Sequence, residues 1–173
     1  QPFPDRWLQA QAQAFDLPEE ISFSSTIWYP AIREEISHVL EEVEARATAL
    51  VEEAESVGAA TYLDVFREDQ AKVQGLVHAL TDGDWQALSA SFAALRFSRL
   101  KPERELDDTI KKRLQGQRKS IKDALDRLSA KYFQETEEEM LDDLRRAAPD
   151  VHELVRLAIA FHAAYQQAKK DKV

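Results

Sequence analysis

Residues 30–58 read PAIREEISHVLEEVEARATALVEEAESVG, and this stretch decides the fold. Its apolar residues recur at intervals of three and four, which predicts a helix with one apolar face. They are Ile32, Ile36, Val39, Leu40, Val43, Ala47, Leu50, Val51, Ala54 and Val57. Pro30 suits the first turn of a helix and Gly58 suits its end, so we predict a helix over residues 30–57. A helix of about 28 residues is roughly 42 Å long and must lie against other helices to bury such a face.

The rest of the chain divides into further helical segments at its prolines and glycines. We predict helices over residues 5–15, 60–80, 84–94, 105–133, 137–147 and 150–171, with loops at 17–26 and 96–104. Asp84 can cap the helix that follows it, Thr136 and Glu139 have the spacing of a capping box, and Pro149 should break or restart the last helix. No pair of strands is recognisable. The predicted fold class is all-α, an elongated multi-helix bundle with two or more long antiparallel helices in a single helical subdomain.

Composition limits the possible chemistry. The chain has 173 residues and no cysteine, which excludes disulfides, zinc knuckles, thiolate iron–sulfur sites and a cysteine nucleophile. It has no apolar run of the roughly 18 residues that a membrane span needs and no basic-then-apolar leader, so we expect no membrane partner. The absence of disulfides suits a reducing compartment, and we expect a cytoplasmic protein. Because the chain starts at Gln1, we expect it to be a fragment of a longer protein.

The net charge of −9 hides a reversal along the chain. Residues 1–95 carry 5 basic and 17 acidic side chains, and residues 132–173 carry 6 and 9. Residues 96–131, in contrast, carry 12 basic and 6 acidic side chains. A charged partner responds to this local field more than to the total charge.

The basic stretch holds the candidate binding residues. The loop supplies four of them, and the helix after it supplies two rows: three residues at intervals of seven and four, and two residues seven apart. They are Arg96, Arg99, Lys101 and Arg104 in the loop, Lys111, Arg118 and Lys122 in the first row, and Lys112 and Lys119 in the second. We expect these side chains to flank the apolar seam of the helix with their charged groups in water, where they could neutralise successive DNA phosphates. The alternative is that they pair internally with the acidic helix around residues 34–55.

Searches for catalytic motifs find no site. The four glycines are too far apart for a phosphate-binding loop, and neither a nucleophile elbow nor a His-Glu-x-x-His motif occurs. Glu35-Ile-Ser-His38 matches one half of a di-iron motif, but a second copy is absent. Adjacent glutamates on a helix point about 100° apart, so we interpret the glutamate clusters as solvated faces. We therefore assign no catalytic, cofactor-binding or metal-binding residue.

Several short patterns, taken in order, resemble one segment of the AddA subunit family of bacterial AddAB helicase–nucleases. The resemblance spans nearly the whole chain and is strongest over residues 96–170. It is carried by Pro4-Asp5-x-Trp7-Leu8, Phe97-Ser98-Arg99-Leu100, Ala130-Lys131-Tyr132-Phe133, Glu138-Glu139-x-Leu141-x-Asp143-Leu144-Arg145, Ala148-Pro149, Leu154-Val155 and Phe161-x-x-x-Tyr165-x-x-x-Lys169.

The resemblance implies a helical subdomain inserted in the first motor domain of a UvrD-like superfamily 1 helicase. It implies ATP and Mg²⁺ as cofactors of the parent protein, none in this fragment, and a parent that unwinds and degrades DNA in double-strand break repair and recombination. The implied partners are DNA (the duplex near the fork or the tracking single strand), the remaining helicase domains and a second subunit of the AddB type.

The family's ATPase and nuclease motifs lie outside this sequence, so none of its catalytic residues can be assigned here. We expect no enzymatic activity from this fragment alone. A competing hypothesis is a helical protein-interaction domain that docks a partner subunit without contacting DNA.

Overall fold

The computed structural model describes residues 5–170, and within them the chain forms helices and no strands. The helices are α1 (Asp5–Gln13), α2 (Tyr29–Ser56), α3 (Ala60–Asp82), α4 (Trp85–Ala94), α5 (Asp108–Tyr132) and α6 (Glu137–Lys170), with a short 3₁₀-helix at Phe23–Ser25. The predicted all-α fold class is confirmed. None of these helices contains an uncharged apolar run long enough to cross a bilayer.

The chain divides into two compact units. One unit, Trp28–Glu135, contains α2 to α5. The other combines the segments on either side of it and contains α1, the 3₁₀-helix and α6. All the candidate binding residues belong to the first unit.

In the first unit, α2 packs against both α3 and α5, and α4 packs against α3. The buried side of α2 matches the predicted apolar face and consists of Ile36, Leu40, Val43, Ala47, Leu50, Val51 and Ala54. Leu114, Ile121, Leu125 and Leu128 of α5 are buried as well. At one end of the unit Phe133 stacks on Phe92 and Trp85, with ring centroids 4.3 and 5.0 Å apart. The apolar period thus identifies the core faces of α2 and α5.

Local capping signals set several helix ends. Gly58 follows α2 with φ of 71°, a backbone conformation that strains other residues, so the helix ends there as predicted. The Ala87 N–H donates to Asp84 Oδ1 over 2.9 Å, which confirms the predicted cap of α4. Helix α5 begins three residues later than predicted because Asp107 is its cap, accepting from the Thr109 N–H over 2.8 Å.

Within the second unit, α6 differs from the prediction at Pro149. The helix runs without interruption through this residue. Pro149 removes one backbone hydrogen bond, but the turns on both sides of it are held by packing. Ala148 is buried on one side, and on the other side His152 Nε2 lies 2.8 Å from Asp16 Oδ1. Tertiary contacts therefore outweigh the local break signal.

The start of α6 follows the sequence pattern closely. The Thr136 N–H and hydroxyl both donate to Glu139 Oε2, over 2.8 and 2.9 Å. The Glu139 N–H in turn donates to Thr136 Oγ1 over 3.2 Å, which confirms the capping box. Residue 171, at the predicted end of the last helix, lies outside the described residues.

Candidate nucleic-acid interface

Residues 95–107, called the basic loop below, connect α4 to α5 and run along α3 in the opposite direction. Lys72 Nζ donates to the Arg96 carbonyl over 2.5 Å. Two residues further along the loop, Ser98 Oγ donates to the carboxylate of Glu68 over 3.0 Å. Successive loop residues thus contact successively earlier positions of α3.

The far end of the basic loop is tied to the start of α3. The carboxylate of Glu103 accepts hydrogen bonds from the backbone N–H of Glu105 and from Thr61, and these bonds lower its pKa. The loop has no regular secondary structure, so side-chain hydrogen bonds of this kind hold it in place.

The central contact of the loop is a buried ion pair between α3 and α5. Arg118 Nε donates to Asp69 Oδ2 over 2.6 Å, and its Nη2 donates to Asp69 Oδ1 over 3.3 Å. The same Nη2 donates to the Ser98 carbonyl over 2.7 Å. Only 7% of Arg118 and 3% of Asp69 is exposed, so this pair links two helices and the basic loop inside the unit.

The prediction that Arg118 holds its charge in water is wrong. Arg118 lies four residues after Leu114 and three before Ile121, both buried, so helical geometry places it in the apolar seam. Asp69 interrupts the apolar face of α3 between Phe66 and Val73 in the same way. The sequence contained a signal for this pair: one acid and one base, each inside an otherwise apolar seam.

Lys111 and Lys122, the other residues of the row that contains Arg118, are half-buried. The Lys111 ammonium lies 3.1 Å from Asp108 Oδ1, and only 20% of its side chain is exposed. The Lys122 ammonium lies 5.4 Å from the centroid of the Phe97 ring, against which the Lys72 ammonium also lies at 5.9 Å. This row therefore faces the fold rather than solvent.

The remaining six candidates are exposed: Arg96, Arg99, Lys101, Arg104, Lys112 and Lys119. Two of them already have partners, since Arg96 donates to the Ala93 and Leu95 carbonyls and Lys119 pairs with Asp123 over 2.5 Å. Within residues 5–170, no ion pair involves the other four. We call these four, Arg99, Lys101, Arg104 and Lys112, the free cations.

Three of the acidic residues near the free cations have other partners, whereas Glu105, beside Arg104, is exposed. Glu103 is turned toward Thr61 and Glu105, and Asp107 caps α5. Asp108 pairs with Lys111. The hydrogen bonds from the backbone and side chain of Thr109 lower the pKa of Asp107. The free cations therefore keep their positive charge uncompensated by contacts within the described chain.

The internal pairing that was the alternative hypothesis occurs at other cations of α5. Arg113 pairs with Glu53 of α2 over 2.5 Å. Lys131 pairs with Glu35 over 2.5 Å, and this hydrogen bond, together with one from Tyr132, lowers the pKa of Glu35. The acidic helix α2 thus neutralises the side of α5 that faces it and, among the described residues, forms no ion pair with the nine candidates.

The second unit carries a different kind of exposed surface. Four large apolar residues of α6 follow one another at intervals of three and four and are more than half exposed: Leu154, Leu157, Phe161 and Tyr165. We call them the α6 apolar row. No cluster of three or more acidic or histidine side chains arranged to hold a metal ion occurs in the part of the chain that the structure describes.

No protein-family model matches the chain. Curated relatives do match it, and each is named as the A subunit (AddA) of an ATP-dependent helicase/nuclease. The chain is 34% identical to the AddA protein of Heliobacterium modesticaldum and 29% identical to those of Bacillus licheniformis and Desulforamulus reducens, in each case over 99% of its length. It spans 13%, 14% and 14% of the length of these relatives. The resemblance to AddA is confirmed, and the chain corresponds to one segment of it.

Proposed function

We propose that this chain, similar throughout to a segment of the AddA subunit of ATP-dependent helicase/nucleases, is a non-catalytic helical subdomain that holds DNA for the parent enzyme. The parent then acts in DNA break repair and recombination, uses ATP and Mg²⁺ bound by residues outside this chain, and works with a second subunit. The free cations contact the duplex near the fork or the tracking single strand.

The observation that supports this proposal most directly is the set of four exposed, unpaired cations in a chain with a net charge of −9. Three of the free cations lie on the basic loop: Arg99, Lys101 and Arg104. Just before them in the loop, the carbonyl groups of Arg96 and Ser98 are bound by side chains of α3 and α5. Lys112 follows in the first turns of α5. Cations of this kind gain affinity for phosphates by releasing the counterions that surround DNA.

A contact of this kind recognises the DNA backbone and no particular base. Such a contact would hold the DNA strand against the parent enzyme while motor domains outside this chain move the strand. For the isolated chain we expect a dissociation constant of about 10⁻⁴ to 10⁻⁶ M, the range of non-specific binding. The acidic remainder of the chain should repel DNA and weaken this affinity further.

The test compares two variants of equal charge. The first changes all four free cations to alanine: Arg99→Ala, Lys101→Ala, Arg104→Ala and Lys112→Ala. The control changes four cations that have carboxylate partners: Arg46→Ala, Arg67→Ala, Arg113→Ala and Lys131→Ala. Binding of labelled single-stranded and duplex DNA is measured from low to moderate salt.

We expect the first variant to lose affinity and to flatten the dependence of log K on log salt by up to about 0.9 per lost phosphate contact on duplex DNA. The control should retain most of the salt dependence. Equal losses in both variants would contradict the assignment of the surface, and no loss in either would contradict DNA binding by this chain.

The α6 apolar row supports a second candidate function, docking of a partner protein in the assembled enzyme. Leu154 is 68% and Phe161 75% exposed. In the parent enzyme, Leu154→Ser with Phe161→Ser should weaken association with the second subunit, whereas DNA binding by the isolated chain should stay unchanged. Sedimentation of the assembled enzyme decides this, and unchanged assembly would remove this candidate.

A further inference from the structure

We propose that the buried Asp69–Arg118 pair is a lock that positions the basic loop for DNA. This inference rests on the proposed DNA contact but extends it to residues that never touch DNA. Arg118 is then a positioning residue that acts through the backbone of Ser98.

The geometry of Arg118 connects the core to the loop. Its guanidinium uses two donors on Asp69, and Nη2 also reaches the Ser98 carbonyl over 2.7 Å. That carbonyl belongs to the peptide bond that leads into Arg99, the first of the free cations. Fixing this peptide fixes where the Arg99 side chain leaves the loop.

Neighbouring contacts hold the same short segment. Lys72 binds the Arg96 carbonyl, Ser98 donates to Glu68, and the Phe97 ring lies against the ammonium groups of Lys72 and Lys122. Three consecutive loop residues are thus held by α3 and α5, immediately before the free cations begin. Ordering a loop residue costs backbone entropy, so a loop ordered before DNA arrives avoids that cost at binding.

Stability alone does not require an ion pair at this position. A buried pair loses much of its attraction to desolvation, and apolar residues of similar volume are often as stable or more so. An apolar pair, however, has no donor for the Ser98 carbonyl. The ion pair therefore supplies a contact to the loop that packing cannot.

The test replaces the pair by apolar residues of similar shape, Asp69→Leu with Arg118→Met. We expect helical content and unfolding midpoint close to wild type. The nitrogen-15 order parameters of the backbone at residues 97–101 should fall from about 0.85, the value of rigid backbone, toward about 0.6, because the loop loses a contact that holds it. DNA affinity should fall about three- to tenfold because the loop must now be ordered on binding. The salt dependence should stay near wild type because every free cation remains.

Arg118→Lys in the native background is the conservative rescue. Its ammonium can donate both to Asp69 and to the Ser98 carbonyl, so the order parameters of the loop and the DNA affinity should lie between those of wild type and of the apolar pair. If Arg118 had only a structural role, its variants would change the unfolding midpoint, and neither the loop order parameters nor the DNA affinity would depend on a donor to the Ser98 carbonyl.

A second variant acts from outside the core, in case the apolar pair fails to fold. Lys72→Met with Ser98→Ala removes two ties of the loop at partly or fully exposed positions. It should lower the order parameters of the loop and the DNA affinity as the apolar pair does, by smaller amounts.

Unchanged order parameters at residues 97–101 in the variants that fold would overturn the lock. Lower order parameters with unchanged DNA affinity would overturn its role in positioning. Failure of the proposed DNA contact is recognised separately, because the variant without free cations would then bind DNA like wild type while the relaxation experiment still decides the lock.

Discussion

The two sides of α5 both carry cations and differ in what those cations meet. Toward α2, Arg113 and Lys131 find Glu53 and Glu35 at 2.5 Å. On the loop side, Arg118 pairs with Asp69 in the core, and the free cations stay exposed. Basic composition therefore says little about binding until each charge is assigned to a carboxylate, to the core or to solvent.

The largest expected effect comes from breaking the buried pair on one side only. Arg118→Ala leaves the Asp69 carboxylate buried without a partner, so the free energy of unfolding should fall by about 3–5 kcal/mol. The matched change Arg113→Ala removes a partner of Glu53 on the exposed side and should cost about 0–1 kcal/mol. Urea denaturation of both variants measures the difference. Equal costs would show that burial does not distinguish the two sides of α5.

The local and periodic features of this fold could be predicted from the sequence. The apolar stripe of α2, the Asp84 cap and the Thr136–Glu139 capping box depend on residues within a few turns of each other, and the structure confirms all three. Continuity of α6 through Pro149 could not be predicted, because it depends on packing partners far away in sequence.

The candidate site was predictable only in part, for a related reason. The spacing correctly placed Arg118 in one row with Lys111 and Lys122, but spacing alone does not say which row faces the core. That depends on Asp69, which lies 49 residues earlier in the chain. The neighbouring row of Lys112 and Lys119 is the exposed one.

A smaller effect is expected from substitutions that change helix stability without changing any charge. Gly116 on α5 and Gly75 on α3 are exposed, and a Cβ at either position would meet no atom within 4 Å. Gly116→Ala and Gly75→Ala should each raise the free energy of unfolding by about 0.5–1 kcal/mol, because alanine has less backbone freedom to lose. Neither change alters a cation, so DNA affinity should stay at the wild-type value. Thermal or urea unfolding checks the first expectation, and a loss of affinity in Gly116→Ala alone would place the DNA backbone directly against this face of α5.

Two adjacent residues of α5 allow the two sides to be compared through single charges. Lys112 is a free cation, and Arg113 pairs with Glu53. Lys112→Ala should reduce the salt dependence of duplex binding by about 0.9 or less, since one phosphate contact is lost. Arg113→Ala should leave that slope unchanged. Titration of labelled duplex at several salt concentrations makes the measurement, and the opposite ranking would reverse the assignment of the two sides.

The smallest expected effect concerns acid pH and the loop. The hydrogen bond from Lys72 and then that from Ser98 lower the pKa of Glu68 below its usual value of 4.5. A carboxyl group whose pKa is lowered by folding stabilises the folded state fully above its unfolded pKa, and this contribution is lost as pH falls through the folded pKa. The ties of the loop to Glu68 should therefore be intact above pH 4.5 and weaken below it.

Carbon NMR of the Glu68 carboxyl, followed together with the backbone order parameters at residues 97–101, checks this. Lys72→Met removes the strongest cause of the shift, so it should raise the pKa of Glu68. It also removes the bond to the Arg96 carbonyl, so the loop should be looser at every pH and its further loosening in acid should begin at higher pH. Glu35, whose pKa is lowered by Lys131 on the other side of α5, is the internal control. Its titration should not respond to Lys72→Met, because its partners belong to a separate set of contacts. A shared response of both carboxyls would mean that the two sides of α5 are coupled and that the basic loop is not held independently.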